Sequence, residues 1–341
     1  MAETFDAILL VSFGGPEGMD EVMPFLENVL RGRNVPPERV RAVARHYEMF
    51  GGVSPINSQN RALIAALEKE LQENGPQLPI YWGNRNWHPF LADTLRRMAD
   101  DGIKRALAFF TSAYSSYSGC RQYREDIMRA QLEVGASAPQ VEKLRAFYNH
   151  PGFIEPNVAN VRAALNQIPE ERRERAEIAF TAHSIPLTMA DTCDYEKQLR
   201  ETCRLVAEGV RHLRWRLAFQ SRSGPPTQAW LEPDILDYLK ELKEEGTKDV
   251  IIAPVGFISD HMEVIYDLDT EARALCERIG LNMIRASTVG THPTFIRMIR
   301  ELILERMNPD FPRRFLGTHG ASHDVCSADC CQMSVKRIVS E

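Results

Sequence analysis

The stretch AILLVSFGGP, Ala7 to Pro16, is a near-continuous apolar run that stops at two glycines and a proline. An apolar run without alternation fits a strand buried on both faces, as in a parallel sheet covered by helices. The same grammar returns at EIAFTAHSIP, Glu177 to Pro186: an apolar strand, a polar tip, then a proline. Two further pairs follow in order. PIYWGNRNWHP (79–89) parallels RLAFQSRSGPP (216–226), and RALAFFTSAYSSYSG (105–119) parallels DVIIAPVGFISDHME (249–263). Helical patterns fill the gaps. One lies near Asp20 to Leu30. Another is SQNRALIAALEKELQEN (58–74), with Ser58 as its expected cap, Leu63, Ala66, Leu67 and Leu71 as its stripe, and Gly75-Pro76 as its stop. Strands alternating with helices predict an α/β protein with doubly wound parallel sheets, and the repetition predicts two similar halves. The expected boundaries are 1–150 and 151–315, with the break in FYNHPGF (147–153) and a tail at 316–341.

The chain has 341 residues, 44% of them hydrophobic, 26% charged, with a net charge of -6. An acidic balance without a basic stripe argues against nucleic acid as a partner. The N-terminal MAETFDAILLVSFGG has no cationic segment ahead of a long apolar core, and no stretch approaches a membrane span. A cytoplasmic monomer is expected. Of seven cysteines, Cys193, Cys203 and Cys276 sit singly in helical patterns and read as small buried apolar residues, whereas Cys326, Cys330 and Cys331 crowd into HDVCSADCCQ (323–332).

Open parallel sheets bind ligands beyond the carboxyl ends of their strands. The tip residues are therefore the ones to inspect: Ser12, Phe13, Gly14, Trp82, Asn84, Ser112, Tyr114 and Tyr117 from the first half, and His183, Ser184, Gln220, Ser221, His261 and Glu263 from the second. Nucleotide-binding glycine motifs, a serine nucleophile elbow and H-E-x-x-H are absent. GFISDHMEVIYDLDTEARAL, Gly256 to Leu275, places Glu263, Asp267 and Glu271 four residues apart. On a helix these share a face, where like charges repel. Imidazoles beside carboxylates suit proton transfer and the handling of a divalent cation. Spread over about 12 Å of helix, the three carboxylates make a path rather than a cage.

AHSIP (182–186), QSRSGPPTQAWLEPD (220–234) and GFISDHMEVIYDLD (256–269) together resemble the ferrochelatase family, whose members insert Fe2+ into a porphyrin. LLVSFGGPEGMDEVMPFLENVLRGR (9–33) and HYEMFGGVSPINSQ (46–59) extend the resemblance from about Ala7 to Arg314. It implies two Rossmann-like halves around a porphyrin cleft, the type II chelatase fold. It also implies His183 and Glu263 as catalytic groups with His261 beside Glu263, and Asp267 and Glu271 as the continuation of an Fe2+ and proton path from His183 and Glu263. In the family this helix is locally a π-helix. The imidazole of His183 and the carboxyl of Glu263 are expected to come from separate lobes and meet across one slot.

The motifs look most like the enzymes of actinobacteria and other Gram-positive bacteria, which convert coproporphyrin III to coprohaem. That resemblance implies carboxylate recognition by Arg31, Arg33, Arg45, His46, Ser54, Ser112 and Tyr114, with Phe13 and Trp230 against the porphyrin. Two positions depart from the family: Phe13 replaces a Tyr able to reach iron, and His46 replaces an Arg. The resemblance further implies a [2Fe–2S] cluster on Cys120, Cys326, Cys330 and Cys331, with His323 as a substitute ligand. The alternatives are a protoporphyrin IX ferrochelatase, a cobalt or nickel type II chelatase, and a non-enzymatic tetrapyrrole carrier.

Overall fold

The computed structural model describes residues 3–32, 35–225 and 227–333. Among these residues, eight strands form two four-stranded sheets. The first contains β1 (Ala7–Ser12), β2 (Ile80–Asn84), β3 (Arg105–Phe110) and β4 (Gln140–Lys143); the second contains β5 (Glu177–His183), β6 (Trp215–Gln220), β7 (Asp249–Ala253) and β8 (Asn282–Arg285). Their orders are β2-β1-β3-β4 and β6-β5-β7-β8, and every pair is parallel. The two sheets thus repeat one topology. All six residues of β1 are buried, as its unbroken apolar run predicts. Burial of Ile8, Leu9 and Leu10 contributes roughly 1.5–3 kcal/mol each.

Strands β4 and β8 escape the sequence pattern. Each is an edge strand of four residues, QVEK with three polar and NMIR with two, because one side has no neighbour. Of the helices, α1 is Val22–Val29, α2 is Pro37–Glu48 and α3 is Ile56–Asn74. Helix α3 starts two residues before the expected cap. Pro55 occupies the N-cap position, and the Ser58 hydroxyl donates back to the Pro55 carbonyl at 2.8 Å, so Ser58 lies inside the first turn.

One apolar core joins the two sheets. It runs from Leu10 and Phe109 through Phe147, Phe153 and Phe295 to Phe180 and Ile251. Arg145 and Glu305 are buried in it as a bidentate pair at 2.6 and 2.9 Å, and Arg145 also donates to the Arg314 carbonyl at 2.8 Å. Beyond Arg314 the chain stays attached: Leu316 N–H donates to Asn149 O at 2.8 Å, and Asn149 Nδ2 donates to Gly320 O at 2.8 Å. No helix among the described residues is long and apolar enough to cross a membrane.

Candidate active site

In each sheet the direction of winding reverses beside the first strand, between β1 and β3 and between β5 and β7. Such switch points open a crevice at the carboxyl ends. His183 is the last residue of β5, and the loop after β7 leads to Glu263. Gly256 allows that loop to cross close over β5. Its N–H donates to Thr181 O at 2.9 Å, and a Cβ there would lie 2.5 Å from Ala182 Cα. Glu263 Oε1 consequently stands 3.6 Å from His183 Nε2, and Glu263 Oε2 stands 4.0 Å from His261 Nδ1. Both catalytic candidates belong to the second sheet. That agrees with their place among the strand tips of the second half, whereas the picture of one group from each lobe is wrong, because adjacent strands of a single sheet already bring their tips together.

The His183 ring is held from behind, its Nδ1 bonded to the Ser184 carbonyl, while the Tyr195 hydroxyl donates to the His183 carbonyl at 3.0 Å. Nε2 is left facing Glu263. Burial by itself would depress the His183 pKa, but the Glu263 carboxylate outweighs it and raises it to about 9. Glu263 shows the converse: burial opposes ionisation, yet the His183 charge and hydrogen bond prevail and hold it at about 2. His261 is lowered, first by burial and further by the His183 charge, against the pull of Glu263. At neutral pH the site carries an imidazolium, a carboxylate and a neutral imidazole.

The acidic row continues on the π-helix Ile265–Ala272, which follows the short turn Met262–Val264. The Ser221 hydroxyl bonds to Asp267 Oδ2, and Gln220 Nε2 donates to the same oxygen at 3.3 Å. Ser221 adopts φ 64, a left-handed conformation that costs a serine about 1 kcal/mol and sits here at a strand tip. Burial, followed by the charges of Glu263 and Glu271 on either side, raises Asp267 to about 7 despite the Ser221 bond. Glu271 is raised as well, by burial and by Asp234, against a hydrogen bond from Tyr266. The three acids are therefore graded rather than equivalent. Among the described residues, the buried atoms Gln220 Oε1 and Trp230 Nε1 have no hydrogen-bond partner.

On the opposite wall His46 stacks on Tyr266 with ring centroids 3.7 Å apart and planes 11° from parallel. Beside them is an open cavity of about 620 Å³ lined by Ala42, Arg45, His46, Glu48, Met49 and Tyr266. Ser54 is buried near Gly15, and Ser112 lies against Gly119. Arg31 donates to Asn28 Oδ1 on the outer end of α1, and Arg33 lies outside the described residues. Phe13 packs edge-on against Phe25 with Arg85 over its ring. Tyr114 is a correction. It is 2% exposed, its hydroxyl donates to Val255 O at 2.8 Å, and the rings of Tyr148, Phe153 and Tyr195 enclose it. It serves the core and has no donor left for a ligand. Sequence reasoning gave no role to Tyr266, Tyr195 or Tyr47, the last lying close enough to Glu263 to feel its charge. Only the place of Tyr266 within the acidic stretch hinted at the first.

The tail cysteines converge on the π-turn Tyr117–Arg121. Cys120 and Cys326 hydrogen bond through their thiols, Cys326 also contacts His323 and Cys330, and Cys330 contacts Cys331. The Cys120 bond and the Lys143 charge draw Cys326 down to about 4, against the effect of burial, while the same bond pushes Cys120 up. Arg121 Nη1 donates to the carbonyls of Ala328 and Cys330 at 3.1 and 2.9 Å, which fixes the loop. Among the described residues, no group of three or more His, Cys, Asp or Glu side chains is arranged to hold a metal ion. The thiols are adjacent without forming a finished ligand cage.

A sequence model of the ferrochelatase family matches residues 5–307. A ferrochelatase of Rhodopirellula baltica is 58% identical over 334 residues, which cover 98% of this chain and 95% of that one. A coproporphyrin III ferrochelatase of Streptomyces coelicolor is 50% identical over 358 residues, covering 98% and 96%. Among solved structures, SirB from Bacillus subtilis with Fe3+ superposes with a TM-score of 0.52 at 15% identity, covering 91% of this chain and all of that one, a likeness of fold alone. By its matched length and its identity to these relatives, the chain belongs to the ferrochelatase family.

Proposed function

We propose that the protein inserts Fe2+ into coproporphyrin III to give coprohaem, releasing two protons. The observation that carries this reading is the His183–Glu263 pair at the switch point of the second sheet, with Asp267 and Glu271 leading away from it. Relatives about half identical to the chain bear that activity in their names, from Streptomyces and Frankia. Free porphyrin carries two pyrrole N–H protons. Both must leave as the iron, a substrate with unchanged oxidation state, takes their place on the four nitrogens.

In the ligand-free cleft His183 is protonated, so its Nε2 lone pair becomes available only once that proton has gone. A dication arriving beside Glu263 favours the loss, because it repels the imidazolium. Glu263, ionised from the outset, is the group able to take a proton or hold the cation first. Asp267, titrating near 7, passes protons on to Glu271 without a deep well in which to trap them. Arg45, His46, Ser54 and Ser112, with Arg31 further out, supply donors for propionates, and Phe13 and Trp230 supply apolar surface; Arg33, outside the described residues, is assigned the same role from its sequence alone.

We also assign a [2Fe–2S] cluster to Cys120, Cys326, Cys330 and Cys331. The nearness of these four soft donors around the π-turn supports the reading, and loading would have to draw them into a cage and deprotonate them, since ligation requires thiolates. Bound there, the cluster would tie the tail covalently to the first half. Anaerobically prepared protein lacking both iron and acid-labile sulfide would overturn this assignment.

Anaerobic Fe2+ insertion, followed by absorbance with coproporphyrin III and protoporphyrin IX side by side, tests the activity. Equal or preferred use of protoporphyrin refutes the substrate. A protein that binds both and metallates neither is a carrier, which has no use for the acidic row.

A further inference from the structure

Gln59 lies in the first turn of α3, in the first half, yet both ends of its side-chain amide are engaged by one backbone residue of the second. Its Nε2 donates to Asp260 O at 2.5 Å, and its Oε1 accepts from Asp260 N–H at 2.8 Å. The amide takes the part of a neighbouring strand, giving one donor and one acceptor to the same peptide segment. Asp260 immediately precedes His261 and stands three residues before Glu263. Its carboxylate is held separately by Arg285, at 3.0 and 3.3 Å, and Arg285 is braced by Asp269 at 2.6 Å. The loop is thus gripped by its own half through a side chain and by the opposite half through its backbone.

The same turn of α3 also grips the tip of the first sheet. Asn57 Nδ2 donates to Gly15 O at 3.0 Å, Asn57 Oδ1 accepts from Asn84 Nδ2 at 3.3 Å, and Ser54 N–H donates to Pro16 O at 2.8 Å. One helical turn therefore sets the register between the wall carrying Phe13 and Ser54 and the loop carrying His261 and Glu263.

We propose that Gln59 is a positioning residue for metal insertion, fixing His261 and Glu263 against the first-half wall of the cleft. The inference rests on the reading of Glu263 as the group that handles metal and protons. Only glutamine satisfies both contacts. An ionised Glu offers no donor and faces the Asp260 carbonyl with like charge, Asn is one methylene short, and Met has similar length without either polar end.

The test compares full-length wild type with Gln59→Met and Gln59→Glu. Both variants should show kcat for Fe2+ insertion into coproporphyrin III lowered about tenfold, the scale seen when a supporting contact behind a ligand is lost. KM and the Kd for porphyrin, read by quenching of protein fluorescence, should stay within about twofold. Amide exchange should accelerate in the peptide spanning 257–263 and not in the one spanning 62–72. Wild-type kcat in Gln59→Met overturns this inference alone. So does a parallel fall of kcat, porphyrin affinity and Tm, which marks a merely structural contact. A wild-type protein that binds coproporphyrin and inserts no iron overturns the chelatase reading, and the inference with it.

Discussion

Replacing Glu263 by Gln keeps the shape of the side chain and deletes its charge. The carboxylate stands 3.6 Å from His183 Nε2. At that separation two unit charges attract by about 1 kcal/mol in bulk water and about 5 kcal/mol at an effective dielectric of 20. The His183 and Glu263 side chains are 32% and 48% exposed, so water enters the pair and the working value lies toward the lower end, about 2 kcal/mol. Removing an anion destabilises the imidazolium, so the sign is a fall, and at 1.36 kcal/mol per unit His183 should titrate at least about 1.5 pH units lower, the lost hydrogen bond adding to the lost charge. At pH 8 the ring then changes from largely protonated to largely neutral. A long-range proton–nitrogen correlation spectrum of 15N-histidine-labelled, metal-free protein, recorded across pH, reads the midpoint directly. Insertion should also fall about 100-fold, as expected when a proton-transfer group is lost. An unchanged His183 midpoint in E263Q would refute the electrostatic pairing, whatever happens to the activity.

Asp267→Asn should raise Tm at pH 8 and leave it unchanged at pH 4. The folded pKa of about 7 lies above the ordinary value, so the carboxylate burdens the fold progressively from pH 4 to 7 and fully above it, by about 2 kcal/mol after allowance for water in the cleft. Tyr114→Phe should cost about 1 kcal/mol in denaturant unfolding through loss of the bond to Val255 O, with KM for porphyrin unchanged. A rise in KM there would restore Tyr114 to the propionate site. Arg145→Met leaves the Glu305 carboxylate buried without its partner and should destabilise by about 3–5 kcal/mol, read by urea unfolding.

The repeated strand grammar was readable because both first strands are buried on two faces and so lack polar interruptions. Chain order alone then gave the tips at which His183 and Glu263 stand. What escaped had no local signature. The edge strands Gln140–Lys143 and Asn282–Arg285 are too short and too polar to stand out. Tyr114 resembled a tip residue in the string, but its ring turns into the core shared by the two sheets. The stack of His46 on Tyr266 and the clasp of Gln59 on Asp260 join residues about 200 positions apart. Neither is implied by the spacing around it. The assignment of His183 and Glu263 to separate lobes failed for a related reason, since a β-β-β order with one reversal already brings two tips of one sheet together.

The duplicated topology has spread its labour unevenly. His183, His261, Glu263, Asp267 and Glu271 all belong to the copy built from β5 to β8, while the copy built from β1 to β4 carries Phe13, Arg45, His46, Ser54 and Ser112. On the proposed reading, substitutions confined to the first copy would change which pigment is held while leaving the proton-handling residues of its twin untouched.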